Sequence, residues 1–167
     1  MSEEQVILVA CGADEAPPQV RLIDACTVGL SDEASLRERA RETSAHTGAR
    51  FTSRSYSFPF ALVAWHSSAV GVDIERVEPC DEAFGESIRT PTERAAGAPE
   101  EDRDRFFTSL WSSKEALSKA LGDPLGYDPR HLQGPGTWPD GRSGPWRAAT
   151  LEVGAEHVAW LCWWAAA

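Results

Sequence analysis

Apolar and polar residues alternate near both ends of the chain, which is the period of a half-buried β-strand. Residues 5–12 and 19–29 predict a first pair of strands separated by a turn, and residues 146–154 and 156–164 predict a last hairpin. In that hairpin, Trp160 and Trp164 share one face and Trp163 lies on the other. Residues 58–77 predict a further hairpin, in which two apolar runs are joined around the sequence "HSSA".

Two segments have the spacing of amphipathic helices. Residues 30–48 predict a helix with Ser31 as N-cap and Gly48 as the stop signal. Residues 103–122 predict the strongest helix, which ends at Gly122 and has an apolar stripe of Phe106, Leu110, Leu117 and Leu121. Residues 85–105 predict short helical turns and a mobile loop, and residues 122–145 predict a loop. The pattern indicates an α+β protein.

Composition and charge narrow the function classes. The formal net charge is −10 and the chain has only two lysines, which argues against a nucleic-acid surface. No basic leader and no uncharged apolar run of about 18 residues is visible, so we expect a cytoplasmic protein that does not enter a membrane. The four cysteines and four histidines lack the spacing of a zinc site or a disulfide framework.

The stretch "AVGVDIERVEP" at residues 69–79 places two carboxylates, Asp73 and Glu75, on one face of a strand. Together with Glu115 they are candidates to hold a divalent cation, because Mg²⁺ takes oxygen ligands and binds through one or two carboxylates plus substrate phosphates. The alternative is ordinary surface pairing, of the strand acids with Arg76 and of Glu115 with Lys119 one helical turn on. Either segment taken alone favours the surface pairs.

The two segments taken together resemble a known signature. "VGVDIERV" at residues 70–77, followed by "WSSKEALSKALG" at residues 111–122, resembles the paired motifs of the 4'-phosphopantetheinyl transferases. The intervening "FGESIRTPTERA" and "RFFTSL" extend the resemblance, which covers roughly residues 51–122. It implies a pseudo-dimer of two α/β lobes with antiparallel sheets, here a shortened first lobe of residues 1–72 and a second lobe of residues 73–167.

The resemblance also implies an activity. These enzymes transfer the phosphopantetheine arm of coenzyme A, bound between the lobes, to a serine of an acyl or peptidyl carrier protein. By this resemblance Asp73, Glu75 and Glu115 would hold Mg²⁺, and Lys114 and Lys119 would neutralise phosphate charge. Glu115, or a water bound by the metal, would take the serine proton, so Glu115 and Lys119 are the expected catalytic residues.

The coenzyme side departs from the family pattern. A family Ser-His-Ser triplet, whose histidine contacts a coenzyme A phosphate, corresponds to Ser55, Tyr56 and Ser57, and a family Gly-Lys-Pro corresponds to Gly48, Ala49 and Arg50. We expect Tyr56, Ser57, Arg50 and Arg54 to form the coenzyme-binding side, with the two arginines replacing the missing charge. The alternative is a repurposed or inactive homologue that binds a ligand or performs different chemistry in a natural-product pathway.

The partner surface is a further expectation. Carrier proteins are acidic, so a net charge of −10 requires a local basic patch, for which Arg37, Arg39 and Arg41 are the candidates. Two lobes in one chain favour a monomer, with a homodimer as the alternative.

Overall fold

The computed structural model describes residues 4–11 and 15–165, which form two four-stranded antiparallel sheets and five α-helices. The first sheet has the order β1-β2-β4-β3 and the second sheet has the order β5-β8-β7-β6. The strands are β1 (Gln5–Ile7), β2 (Gln19–Asp24), β3 (Phe51–Ser57), β4 (Phe60–His66), β5 (Val70–Arg76), β6 (Arg142–Ser143), β7 (Trp146–Thr150) and β8 (His157–Trp164). The helices are α1 (Ala25–Val28), α2 (Glu33–His46), α3 (Glu82–Ile88), α4 (Pro91–Ala96) and α5 (Arg103–Leu121). The predicted α+β class is confirmed.

The core is built in layers. The two sheets pack against each other through one apolar cluster, in which Val20 and Leu62 of the first sheet meet Val72 and Leu161 of the second. Helix α2 covers the outer face of the first sheet through Leu36 and other small or apolar residues. Helix α5 covers the outer face of the second sheet. The order of layers is therefore helix, sheet, sheet, helix.

The two sheets also meet along a seam between their edge strands β3 and β5. The backbone N–H of Val72 donates to Ser53 Oγ at 3.0 Å, and that of Ile74 donates to Ser55 Oγ at 3.2 Å. Serine hydroxyls thus satisfy buried donors of β5 that have no strand beside them. The seam brings the Ser55 hydroxyl of β3 next to Asp73 of β5.

The predicted hairpin over residues 58–77 is wrong. Strand β4 pairs with β2 and β3, whereas β5 pairs with β8, so the two apolar runs belong to different sheets. The hairpin in this region is β3–β4, which turns at Phe58 and Pro59. The last hairpin, β7–β8, is confirmed, with Trp160 packed on the α5 side and Trp163 in the core between the sheets.

Helices begin and end close to the predicted positions. The N-cap of α2 is Asp32 instead of Ser31, because the Asp32 carboxylate accepts from the backbone N–H of Ser35 at 2.9 Å. Helix α5 ends at Gly122, whose φ of 83° is left-handed. Its buried face includes Phe107 instead of Phe106, and Leu121 is half exposed. No helix in the described ranges is long and apolar enough to cross a bilayer.

The remaining segments are short. The predicted helical turns before α5 are α3 and α4, and α4 starts with a capping box between Thr90 and Glu93. The predicted loop after α5 contains three 3₁₀ turns and strand β6.

The sheets divide at residues 67–69, so the predicted lobe boundary between residues 72 and 73 falls inside β5. Part of the predicted turn after β1 lies at residues 12–14, outside the described residues.

Gly71 is required where β5 packs against α5. A Cβ atom at this position would lie 2.0 Å from the carbonyl oxygen of Ala116 and 2.5 Å from the backbone nitrogen of Ala120. We therefore expect Gly71→Ala to lower the free energy of unfolding by about 1–3 kcal/mol or more, measured by urea titration. The control is Gly136→Ala, whose Cβ would meet its nearest neighbour at an ordinary 3.4 Å. Equal stability of both variants would contradict the close packing of α5 on β5.

His157 predicts a pH dependence of stability. Burial, together with the nearby charge of Arg76, lowers the pKa of this histidine, and its Nε2 atom has no hydrogen-bond partner among the described residues. Below an unfolded-state pKa of about 6.5 the unfolded chain binds a proton that the folded protein does not bind, so stability is lost as the pH falls. We expect His157→Gln to flatten the slope of unfolding free energy between about pH 7 and pH 5 by up to about 1.4 kcal/mol per pH unit.

The control for this measurement is His131→Gln, which replaces an exposed histidine. Because only the slope is compared, a uniform loss of stability in the His157 variant does not affect the result. An unchanged slope in His157→Gln would show that the histidine is protonated in the folded protein.

Candidate functional site

Asp73 lies at the centre of the seam. Its side chain is nearly fully buried, and its Oδ1 atom accepts from Lys119 Nζ at 2.8 Å and from Ser55 Oγ at 3.0 Å. Its Oδ2 atom is buried and has no hydrogen-bond partner among the described residues. Burying a carboxylate oxygen without a hydrogen-bond partner raises the free energy of the folded protein. The unpartnered Oδ2 atom therefore indicates a binding position for a ligand from outside the polypeptide.

Lys119 of α5 bridges the two sheets. Besides Asp73, its ammonium group donates to the carbonyl oxygen of Val72 at 3.1 Å and reaches that of Arg54 at 3.5 Å. Lys119 therefore pairs with Asp73 of β5 and not with Glu115 on its own helix. The surface ion pair between Glu115 and Lys119, which was the alternative from the sequence, does not form among the described residues.

Glu75 and Glu115 flank this pair. Burial, with a further contribution from the negative charge of Asp73, raises the pKa of Glu75 to about 7. Burial also raises the pKa of Glu115, whose Oε1 atom accepts from the hydroxyl of Tyr127 at 2.5 Å. The charge of Asp73 contributes to both shifts, so the three carboxylates are close enough to repel one another.

The three carboxylates do not form a ready-made metal centre. Within residues 4–11 and 15–165, no group of three or more His, Cys, Asp and Glu side chains is arranged to hold a metal ion. The donor set nevertheless fits a hard cation that completes its shell with substrate phosphates, because Asp73 Oδ2 is unpartnered and Glu75 is beside it. Glu115 would join them by leaving Tyr127.

Part of the chain matches a known protein family. Residues 69–149 match the family model described as the 4'-phosphopantetheinyl transferase superfamily. This segment, slightly less than half of the chain, is similar to that superfamily. The match includes all three carboxylates and both lysines, and it confirms the resemblance seen in the sequence.

A curated relative supports the same superfamily. The chain is 33% identical over 75 residues to 4'-phosphopantetheinyl transferase psf-1 from Bacillus pumilus. The matched stretch covers 44% of this chain and 32% of the relative, so the match spans about a third of that transferase.

Lys114, in the second superfamily motif, is not where the sequence prediction placed it. The side chain is fully buried, and its Nζ atom donates to Glu93 Oε2 at 2.6 Å, to the carbonyl oxygen of Ile88 at 2.5 Å and to that of Pro129 at 2.8 Å. All three of its donors are used inside the protein. Lys114 therefore joins α4 and α5 to the loop after α5 and is not available to a phosphate.

The predicted coenzyme-binding residues lie along β3 and the turn before it. Tyr56 packs against the α2 cluster, and the guanidinium of Arg50 lies 5.3 Å from the ring centroid of Phe51. Arg54 is exposed, and neither it nor Arg50 forms an ion pair within the described residues. Ser57 is half buried at the end of β3, opposite Phe60. The backbone carbonyl of Arg54 thus reaches Lys119 at the seam, whereas the side chains of Arg54 and Tyr56 share the α2 side of β3.

A cavity of about 670 Å³ adjoins the carboxylates. Its lining includes Trp111 and Phe84, whose rings pack edge to face, together with Pro79, Cys80 and Thr108. The acidic residues Glu75, Glu78 and Asp81 and the arginines Arg76 and Arg103 complete the lining. The cavity therefore offers apolar walls together with a mixed, mainly acidic charge.

Sequence reasoning missed two residues of the site, Ser55 and Tyr127. Ser55 has a recognisable signal, because alternate serines at positions 53, 55 and 57 of a strand present their hydroxyls to one side. Tyr127 lies in the irregular segment after Gly122, where no periodicity predicts a contact with Glu115.

Proposed function

We propose that the protein transfers the 4'-phosphopantetheine arm of coenzyme A to a serine hydroxyl of an acyl or peptidyl carrier protein, with Mg²⁺ as the required ion. The superfamily match supports the reaction class. The observation that carries the proposal is the buried, unpartnered Oδ2 atom of Asp73 beside Glu75 and Lys119, at the seam between the two sheets.

Different side chains would bind the cation and neutralise the diphosphate. Asp73 and Glu75 would hold the cation, with Glu115 as a third ligand or a proton acceptor. Bound Mg²⁺ would neutralise charge on the diphosphate of coenzyme A. Lys119, which is fixed over the seam by three oxygen atoms, adds a second positive charge on the same side.

The carrier serine, coenzyme A, Lys119 and Glu115 account for every bond and proton of the transfer step. The serine oxygen of the carrier forms a bond to the phosphorus of the phosphopantetheine, and the bond from that phosphorus to the bridging oxygen breaks. Adenosine 3',5'-bisphosphate leaves, and Lys119 stabilises the charge that develops on it. The serine proton passes to Glu115, which is a better base than an exposed carboxylate because burial raises its pKa.

The adjoining cavity suits the part of coenzyme A that carries no charge. Three acids in its lining outnumber the two arginines, which pair with Glu156 and Glu82, and so disfavour a phosphate. The apolar surfaces of Trp111 and Phe84 favour an uncharged amide chain. We therefore place the pantetheine arm there, with its phosphate directed to the carboxylates.

Transfer is tested by the mass of the acceptor. The protein is incubated with coenzyme A, Mg²⁺ and a panel of apo acyl and peptidyl carrier proteins, and the intact mass of each carrier is read. We expect at least one carrier to gain one phosphopantetheine, and none to gain it in the presence of a chelator. No gain on any carrier, with the enzyme folded, would refute the transferase function.

A second candidate is a homologue whose donor pocket has lost its function. The observation that favours it is the coenzyme side, where Tyr56 and Ala49 replace a histidine and a lysine of the family pattern. Such a protein would fail to bind coenzyme A in a metal-dependent way.

A further inference from the structure

The segment after α5 folds back along that helix. The chain reverses at residues 122–126, and two neighbouring side chains of α5 then hold the returning segment. Lys114 Nζ donates to the carbonyl oxygen of Pro129 at 2.8 Å. Glu115 Oε1 accepts from the hydroxyl of Tyr127 at 2.5 Å. The consecutive lysine and glutamate of α5 are therefore both bound to this segment.

Lys114 fixes the backbone next to Tyr127. The lysine is fully buried and also pairs with Glu93, so its contact with the carbonyl oxygen of Pro129 is part of the protein interior. Tyr127 lies only two residues before Pro129 and is itself half buried. A firmly anchored segment thus presents the Tyr127 hydroxyl to Glu115.

The Tyr127 hydrogen bond uses an oxygen atom that a cation would need. A carboxylate accepts hydrogen bonds and binds Mg²⁺ through the same oxygen atoms. With Oε1 bound to Tyr127, Glu115 does not form a metal-holding group with Asp73 and Glu75 within residues 4–11 and 15–165. Glu115 nevertheless lies close enough to Asp73 for their charges to repel each other. Glu115 is therefore beside the cation position, in an orientation outside it that Tyr127 stabilises.

A hydroxyl beside a carboxylate ligand can act in two ways. It can orient the carboxylate toward the cation, and its removal then weakens cation binding. It can instead compete with the cation for the carboxylate, and its removal then strengthens cation binding. The geometry favours competition, because the three carboxylates are not assembled while the Tyr127 hydrogen bond is in place.

We propose that the Tyr127 hydroxyl holds Glu115 away from the cation position in the free protein, and that Glu115 leaves Tyr127 when Mg²⁺ and coenzyme A bind. The inference rests on the proposed function, because it takes Glu115 as the third ligand of the cation. Tyr127 is a positioning residue that acts through Glu115. The carboxylates are then assembled only when the substrate is present.

The first test is the Mg²⁺ concentration at which coenzyme A binding is half-maximal, from calorimetric titrations at a series of Mg²⁺ concentrations. Tyr127→Phe removes the hydroxyl and keeps the ring, so the segment should stay folded. We expect this variant to need about tenfold less Mg²⁺ than the wild type, as for the loss of one competing hydrogen bond to a charged group.

The matched control is Thr137→Val, which also removes a hydroxyl from the segment after α5. That hydroxyl donates to the carbonyl oxygen of Gly134 at 2.7 Å and not to a carboxylate. The Mg²⁺ requirement of Thr137→Val should stay within about twofold of the wild type. An equal change in both variants would overturn the role of Tyr127, because any disturbance of the segment would then have the same effect.

The second test observes the hydroxyl itself by nuclear magnetic resonance. The chain has two tyrosines, so ¹³C labelling of the tyrosine Cζ atom gives two signals, and Tyr127→Phe assigns them. We expect the Tyr127 signal to move when Mg²⁺ and coenzyme A are both added, since the hydroxyl loses its carboxylate acceptor. The signal should stay in place with coenzyme A and a chelator.

The outcomes separate the two proposals. Suppose that the wild type binds coenzyme A in a Mg²⁺-dependent way. If Tyr127→Phe then needs as much Mg²⁺ or more, or the Tyr127 signal does not move, the role of Tyr127 is overturned and the proposed function stands. If the wild type shows no Mg²⁺-dependent binding of coenzyme A, the proposed function fails and the role of Tyr127 fails with it.

Discussion

Asp73→Asn should lower the rate of phosphopantetheine transfer at least about 100-fold, because it removes the negative charge from the buried Oδ2 position that we assign to the cation. The asparagine keeps an oxygen acceptor for Ser55 and Lys119, so we expect the protein to remain folded. The rate is followed by the intact mass of a modified carrier, and folding is followed by thermal unfolding.

The control for this variant is Glu152→Gln, which neutralises an exposed carboxylate. It should change the transfer rate less than about twofold, since exposed charges outside the site contribute little. Full activity of Asp73→Asn would show that the cation, if one is required, is held by other residues.

Lys114→Met should lower the free energy of unfolding by about 3–5 kcal/mol, because it leaves the carboxylate of Glu93 buried without its cation. The lysine is fully buried and its ion pair with Glu93 spans 2.6 Å. A loss of this size is a large part of the stability of a domain and should be clear in urea titrations.

Two variants identify the cause of that loss. Adding Glu93→Gln to Lys114→Met removes the unpaired charge and should recover a large part of the stability. Lys119→Met, in the seam, should cost less stability than Lys114→Met because Asp73 has a second donor in Ser55. A stable but inactive Lys114→Met protein would contradict the structural role. It would support a contact between Lys114 and the phosphates instead.

The position of the two strand carboxylates was predictable from the sequence. Strand alternation requires Asp73 and Glu75 to share one face and Val72 and Ile74 the other, although both faces of β5 are buried in the structure. Helix α5 was predictable for a similar reason, since its apolar period is long and Gly122 supplies the left-handed residue that ends it. Both features depend on neighbouring residues in the chain, so strand alternation and helix periodicity are enough to predict them.

The errors concern contacts between distant segments. Lys114 looked like a residue at the edge of an amphipathic face because its partner, Glu93, is 21 residues away and comes from another helix. The hairpin over residues 58–77 failed because an apolar run does not specify which strand it pairs with, and β5 finds β8 near the end of the chain. The guanidinium of Arg37 lies 4.7 Å from the ring centroid of Tyr56, a contact that likewise depends on how α2 lies across the first sheet.

The most direct test of the central claim is the calorimetric titration of coenzyme A into the wild-type protein, once with Mg²⁺ and once with a chelator. It needs no knowledge of the carrier protein. If the seam between β3 and β5 is a donor site completed by a cation, binding with Mg²⁺ should be at least about tenfold tighter than binding with the chelator. Binding that is absent in both titrations, or equal in both, would contradict the account.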